Sequence, residues 1–158
     1  MSDEVYTVRG CTALFDAVGG AIHHISNIHK YARPEDVPEH TVFVITTDGM
    51  ENSSQRYTRT RVKEMIENQS KNHGWEFVFL AANIDAEETA EKIGIRRERA
   101  VNYSQNPSGI RMSYEAMSDA ITAVRSDSME SGAWRAKLDR ENKKRARMQK
   151  KGQGGNPD

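Results

Sequence analysis

Leu14, Val18, Ile22, Ile25 and Ile28 recur every three or four residues, with Ala17 and Ala21 between them. That spacing puts them on one face of an amphipathic helix over about 12–31. Thr12 is placed to cap this helix and Asp16 to complement its dipole, and the two prolines of Arg33 to Pro38 end it. Val42, Phe43, Val44 and Ile45 form instead a continuous β-branched and aromatic run, the pattern of a strand covered on both faces. Helical spacing returns with Val62, Met65, Ile66 and Gln69, predicting a helix over about 58–72 that Gly74 stops. Residues 76–82 read as a second buried strand. Asp85 and Glu88 open a short helix in the manner of a capping box, and Gly94 closes it. A weaker strand over 100–103 leads through Gln-Asn-Pro-Ser-Gly into a last helix, whose buried face is marked by Met117, Ala120, Ile121 and Val124. Helix and apolar strand therefore alternate, which predicts the α/β class, with a parallel sheet and helices on both faces.

After about Ser128 the apolar period lapses. Nine lysines and arginines between Arg135 and Lys151 face only Asp139 and Glu141, and the chain closes on Gly-Gln-Gly-Gly-Asn-Pro-Asp. The expected division is an α/β domain over 1–128 and a basic, partly disordered tail over 129–158 that folding does not need. A charged helix fraying into solvent is the plain account of this tail. A basic arm for nucleic acid or another anionic surface is the alternative. Only Trp134 lies among the charges, so a stacking platform for single strands is not supported.

Composition narrows the setting. A chain of 158 residues fits one domain with a real core. Lys+Arg and Asp+Glu balance at 23 each, so net charge points to no class of partner. The single Cys11 excludes an internal disulfide and suits a reducing, cytoplasmic compartment. No apolar stretch approaches the roughly 18 residues of a membrane span, and the first ten residues lack a signal peptide's apolar core. A membrane partner is not expected.

In open α/β sheets ligands bind outside the carboxyl ends of the strands. Thr46 to Ser54 and Ala82 to Ala86 fall at such ends. Neither carries a P-loop or a dinucleotide fingerprint. A two-aspartate pattern for phosphoryl transfer is also missing, because Thr47 and Gly49 flank Asp48. Asp48 with neighbouring hydroxyls would suit Mg²⁺, which binds few protein oxygens and keeps several waters; one carboxylate at a strand end is weak evidence by itself, and the plain account is an Asp-Gly turn out of the strand. His23 and His24 point about 100° apart on a helix, and His29 stands at no ligand spacing from either. Cys11, Met112, Met117, Met129 and Trp75 read as packing residues, and Trp134 as a possible anchor for the tail. Nothing in these spacings demands catalysis.

Two longer segments carry more. Gly-Cys-Thr-Ala-Leu-Phe-Asp-Ala-Val (Gly10 to Val18) and Val-Ile-Thr-Thr-Asp-Gly-Met-Glu-Asn (Val44 to Asn52) resemble the von Willebrand factor type A family, in particular its small bacterial and phage members. Trp75 to Asp85 and Ala100 to Ser104 extend the resemblance, which covers about Tyr6 to Asp127. It implies a Rossmann-like, mostly parallel sheet with flanking helices and a metal-ion-dependent adhesion site. In that site a strand-end Asp-X-Ser-X-Ser, a later threonine and a later aspartate hold Mg²⁺ or Mn²⁺, whose open position takes a carboxylate of a partner protein. Thr12 matches the threonine and Asp48 the second aspartate. The Asp-X-Ser-X-Ser element has no counterpart, so the chain resembles the C-terminal part of such a domain and its cation site is expected to be partial and weak.

The family's strand order would place the absent first strand beside Val42 to Ile45. Without it, that apolar strand is an open edge that invites pairing with a protein partner or a second copy. The resemblance thus implies a protein-binding module rather than an enzyme, with Thr12 and Asp48 as cation ligands and Gly49, Asn52, Val42 and Val44 at the partner contact. The alternatives are a Mg²⁺-dependent phosphoryl-transfer enzyme using Asp48, or a truncated domain with no role of its own.

Overall fold

The computed structural model describes residues 13–50 and 53–153. Helix α1 (Leu14–Tyr31) precedes β1 (Val42–Thr47), α2 (Arg59–His73), β2 (Glu76–Ala81), α3 (Ala86–Lys92), β3 (Ala100–Asn102), α4 (Pro107–Arg125) and α5 (Ala136–Gln153). The strands form one parallel sheet in the order β1-β2-β3, with Val42 opposite Glu76 and Phe79 opposite Ala100. The fold is α/β, a parallel sheet flanked by helices, as the alternation of periods predicts.

The central strand shows why its run is apolar throughout. Successive side chains of a strand point to opposite faces. Phe77, Phe79 and Ala81 pack with α1, α2 and α3, while Val78 and Leu80 pack with α4 and the C-terminal segment. Both faces are dry. The expected helix stripes also appear: Leu14, Val18 and Ile22 are buried on α1, and Val62, Ile66 and Gln69 on α2. Thr58 caps α2 by accepting from Arg61 N at 3.2 Å, and Gly74 ends it in the left-handed conformation at φ 64°.

Four expectations need correction. The N-cap of α1 is Ala13, which makes no side-chain cap; Thr12, expected at that position, lies outside the described residues. β1 is not covered on both faces along its length. Ile45 is buried, but Val42, Phe43 and Val44 are half-buried, because β1 is an edge strand among the described residues. On α4 the innermost positions are small: Gly109, Ser113, Ala116, Ala120 and Ala123 are buried, while Met117 and Ile121 sit at the margin. The approach is close enough that a Cβ on Gly109 would lie 2.2 Å from the Ser104 carbonyl oxygen.

The fourth concerns the C-terminal segment. Met129, Trp134 and Leu138 are 5%, 3% and 1% exposed and complete the core over Val78, Leu80 and Val101. Arg99, buried in the strand layer, donates to Glu76 at 3.0 Å, to Glu130 at 2.6 Å and to the Met129 carbonyl at 3.3 Å. Arg135 bridges Glu87 at 2.8 Å and Asp139 at 2.9 Å. The change of composition near Ser128 is therefore not a packing boundary, and at least the stretch from Met129 to Leu138 belongs to the core rather than to a dispensable tail. Residues 154–158 lie outside the described residues.

Candidate functional site

Where β1 ends, Thr47 turns the chain. Its buried hydroxyl donates to the Gly49 carbonyl at 3.0 Å and accepts from Gly49 N at 3.4 Å, a local side-chain turn that throws Asp48 outward. Asn83, from the loop after β2, donates to the Asp48 carbonyl at 3.2 Å. It adopts a left-handed conformation at φ 60°, which asparagine tolerates better than most residues. From the end of β3, Gln105 donates to the Asp48 carboxylate at 3.5 Å and Tyr103 Oη to the Thr47 carbonyl at 3.5 Å. Loops after all three strands thus converge on one residue.

Beside it opens a cleft of about 610 Å³ between the ends of β1 and β3 and the first half of α4. Thr46, Asp48, Tyr103, Gln105, Tyr114 and Met117 are among its walls. The Tyr103 hydroxyl titrates above the ordinary range, first because it is partly buried and then because the charge of Asp48 and the neighbouring Tyr114 oppose a phenolate. Tyr103 therefore stays a neutral donor beside the carboxylate. Val42 and Val44 lie on the same face of β1 as Thr46, which lines the cleft, and pack against the core on that face.

A second set of contacts brings the start of α1 to this end of the sheet. The Asp16 carboxylate accepts from the backbone N–H groups of Gln55 at 2.9 Å, Arg56 at 2.8 Å and Tyr57 at 2.8 Å. Asp16 N in turn donates to Ser54 Oγ at 3.1 Å. Hydrogen bonds to the ionised form, led by that of Gln55, hold the Asp16 carboxyl below the usual carboxylate range. Tyr57 lies against Gly19 so closely that a Cβ there would meet its ring at 2.4 Å. Asp16 is thus more than a partner of the helix dipole: it ties the chain returning from β1 to the first turn of α1.

Asn102 organises the neighbouring loop. Its side chain donates to the Ala81 and Ile84 carbonyls and accepts from Ala86 N at 3.1 Å, while Asn142 of α5 donates to its carbonyl at 2.9 Å.

Of the residues expected at the site, Asp48 and Gly49 stand at the rim of the cleft and Val42 and Val44 on the strand beneath it. Thr12 and Asn52 lie outside the described residues. Among the described residues no group of three or more His, Cys, Asp and Glu is arranged to hold a metal ion, and Asp48 supplies the single carboxylate on the cleft wall. That donor set does not make a cation cage; it offers Mg²⁺ one protein anion and leaves the remaining positions to water or to other groups. His29 packs edge-on against Trp75 with centroids 5.5 Å apart, and His23 pairs with Asn27. No helix of the described residues is long and apolar enough to cross a membrane. Comparison with protein-family models, with curated proteins and with solved structures gives no match to this chain.

Proposed function

We propose that the chain is a protein-binding module whose partner pairs with the β1 edge and reaches the cleft at Asp48. One observation carries this reading. In a purely parallel sheet both faces and the inner strands are normally covered, yet β1 leaves Val42, Phe43 and Val44 only partly buried, with no strand on its outer side among the described residues. Finishing the burial of three such side chains contributes on the order of 1–3 kcal/mol. A strand laid along β1 also satisfies its outward backbone groups and gives affinity through main-chain hydrogen bonds.

Asp48 stands at the head of that edge. The resemblance to the von Willebrand factor type A family supports a role there as a cation ligand, together with Thr12, so that Mg²⁺ or Mn²⁺ would supply a bridge to a partner carboxylate. With one carboxylate in the cleft, the affinity of the chain alone for the cation is weak. The same shortage favours binding over phosphoryl transfer, which needs more anchored charge around the reacting phosphate. The lone Cys11 fits a cytoplasmic setting for such a module.

Sedimentation over a range of protein concentrations, on the wild type and on Val44→Lys, tests the edge. A self-associating chain that Val44→Lys makes monomeric supports a second copy as the occupant. A monomer that gains a strand-forming peptide only in the wild-type form supports a separate partner. Failure of both overturns the reading. Mg²⁺-dependent turnover of an aryl phosphate that disappears in Asp48→Asn would replace it with the enzyme.

A further inference from the structure

Helix α5 leaves the domain as a cationic arm. It is anchored by Leu138, by Asn142 and by Arg145, which reaches Ser104 Oγ, yet from Lys143 to Lys151 every residue is exposed. Arg140, Lys143, Lys144, Arg147, Lys150 and Lys151 fall at helical spacings of three and four, on the side opposite Leu138 and Asn142. All six are exposed, and none forms an ion pair among the described residues. The acidic residues of α5 are engaged or off the stripe: Asp139 pairs with Arg135, and Glu141 lies toward the groove against α4. Exposed Arg111 of α4 shares that groove with Arg140 and Lys144, and Glu115 beside it is neutralised by Lys137 at 2.9 Å. Arg140 and Lys144, Lys143 and Arg147, and Arg147 and Lys151 are like-charged pairs at i, i+4, which oppose the helix unless a polyanion meets them.

We infer that the outer face of α5 docks on the phosphate backbone of double-stranded nucleic acid without reading its sequence. The stripe spans about 16 Å, the eleven steps from Arg140 to Lys151 at the helical rise, and that length of duplex presents roughly ten phosphates. Six point cations on a straight helix match a rigid, regularly charged surface. No aromatic residue lies on α5 to stack on the bases of a single strand. An anionic membrane would be held by charge alone, because the free part of α5 has no apolar face: Met148 and Ala146 are its apolar residues between Lys143 and Lys151. This inference is independent of the β1 edge and of Asp48, which face other parts of the molecule.

Fluorescence anisotropy with a labelled 20-base-pair duplex, in two unrelated sequences, measures it on the full chain. The expected result is equal, micromolar-range binding to both at about 50 mM salt, with a log–log salt slope of about −5, since each neutralised phosphate contributes about −0.9. Lys143→Gln/Lys144→Gln/Arg147→Gln should bring the slope to about −3. Lys150→Gln/Lys151→Gln, remote from all packing, should reduce it by about two. Absence of binding at that salt, or a slope that neither variant changes, overturns the inference. So does tighter binding of a single strand of equal length, or of phosphatidylserine vesicles.

Discussion

At the β3 edge of the sheet, Ala100 and Val101 are buried, α3 and α5 pack against the strand, and the Asn102 carbonyl is met by the amide of Asn142. Just beyond, Arg145 reaches Ser104 Oγ. At the β1 edge a strand twice as long, six residues against three, keeps three apolar side chains half-open. Proteins blunt exposed edges by shortening, charging or covering them. This one shortens and covers β3, whereas among the described residues no strand lies along the outer side of β1, and Val42, Phe43 and Val44 stay only partly buried. The two edges differ in length and in cover, and the proposed partner at β1 rests on that difference.

The covered side depends on the C-terminal segment, so removing that segment gives the largest expected effect. Truncation after Asp127 strips Met129, Trp134 and Leu138 from the core over β2 and β3 and should leave a chain without a cooperative unfolding transition. The single substitution Trp134→Ala should cost about 3–5 kcal/mol in urea denaturation. Trp134→Phe should cost much less, because it keeps most of the buried ring and removes an indole N–H that finds no partner among the described residues. If the truncated chain melts like the full one, the finished edge is not finished by this segment. Next in size is Arg99→Ala. It deletes the cation that joins Glu76 to Glu130, and since both carboxylates retain access to water the loss should be about 1–3 kcal/mol.

These effects fall on the part of the chain that local patterns conceal. Strand β2 and helices α1 and α2 are legible because periods of two and 3.6 persist long enough to register. Met129, Trp134 and Leu138 share no such period. They are spaced by five and four residues across two short 3-10 turns, and Met129 and Leu138 each stand between polar neighbours. The site divides in the same way. Asp48 is legible from its place after an apolar strand. Gln105 reaches it, and Tyr103 the Thr47 carbonyl just before it, from the end of β3, more than fifty residues later in the chain, and a tyrosine or glutamine in a loop carries no local sign of such a role. Asp16 has a ready local explanation in the helix dipole, and its actual partners lie about forty residues away.

At the open edge, Val44→Lys should cost about 1–2 kcal/mol, since the position is only partly buried, while abolishing association at β1. The companion change Val101→Lys, at the covered edge, places a charge in a dry core and should unfold the domain. Circular dichroism on both variants separates the edges directly. Equal tolerance at the two positions would show that they do not differ as described.

The smallest expected effect is local and depends on pH. Asp16 holds the loop that carries the chain from Asp48 back to α2, through three backbone N–H groups that its ionised form accepts. Its carboxyl is held below the ordinary value, which in an unfolded chain is about 3.9. A depressed folded-state pKa means that ionised Asp16 stabilises this loop fully above that ordinary value, and that the contribution fades as pH falls through the lower folded one. Near neutral pH the Gln55, Arg56 and Tyr57 amides should therefore exchange slowly with solvent. Below about pH 4 their protection should fall progressively as Asp16 approaches its lower folded-state value, before that of the β2 amides does. Asp16→Asn can accept fewer of these bonds and should show the open behaviour at every pH, with little change in the global melt. Protection of the three amides that is the same in Asp16→Asn and in the wild type would place the hold on the loop elsewhere, in the Tyr57 ring against Gly19.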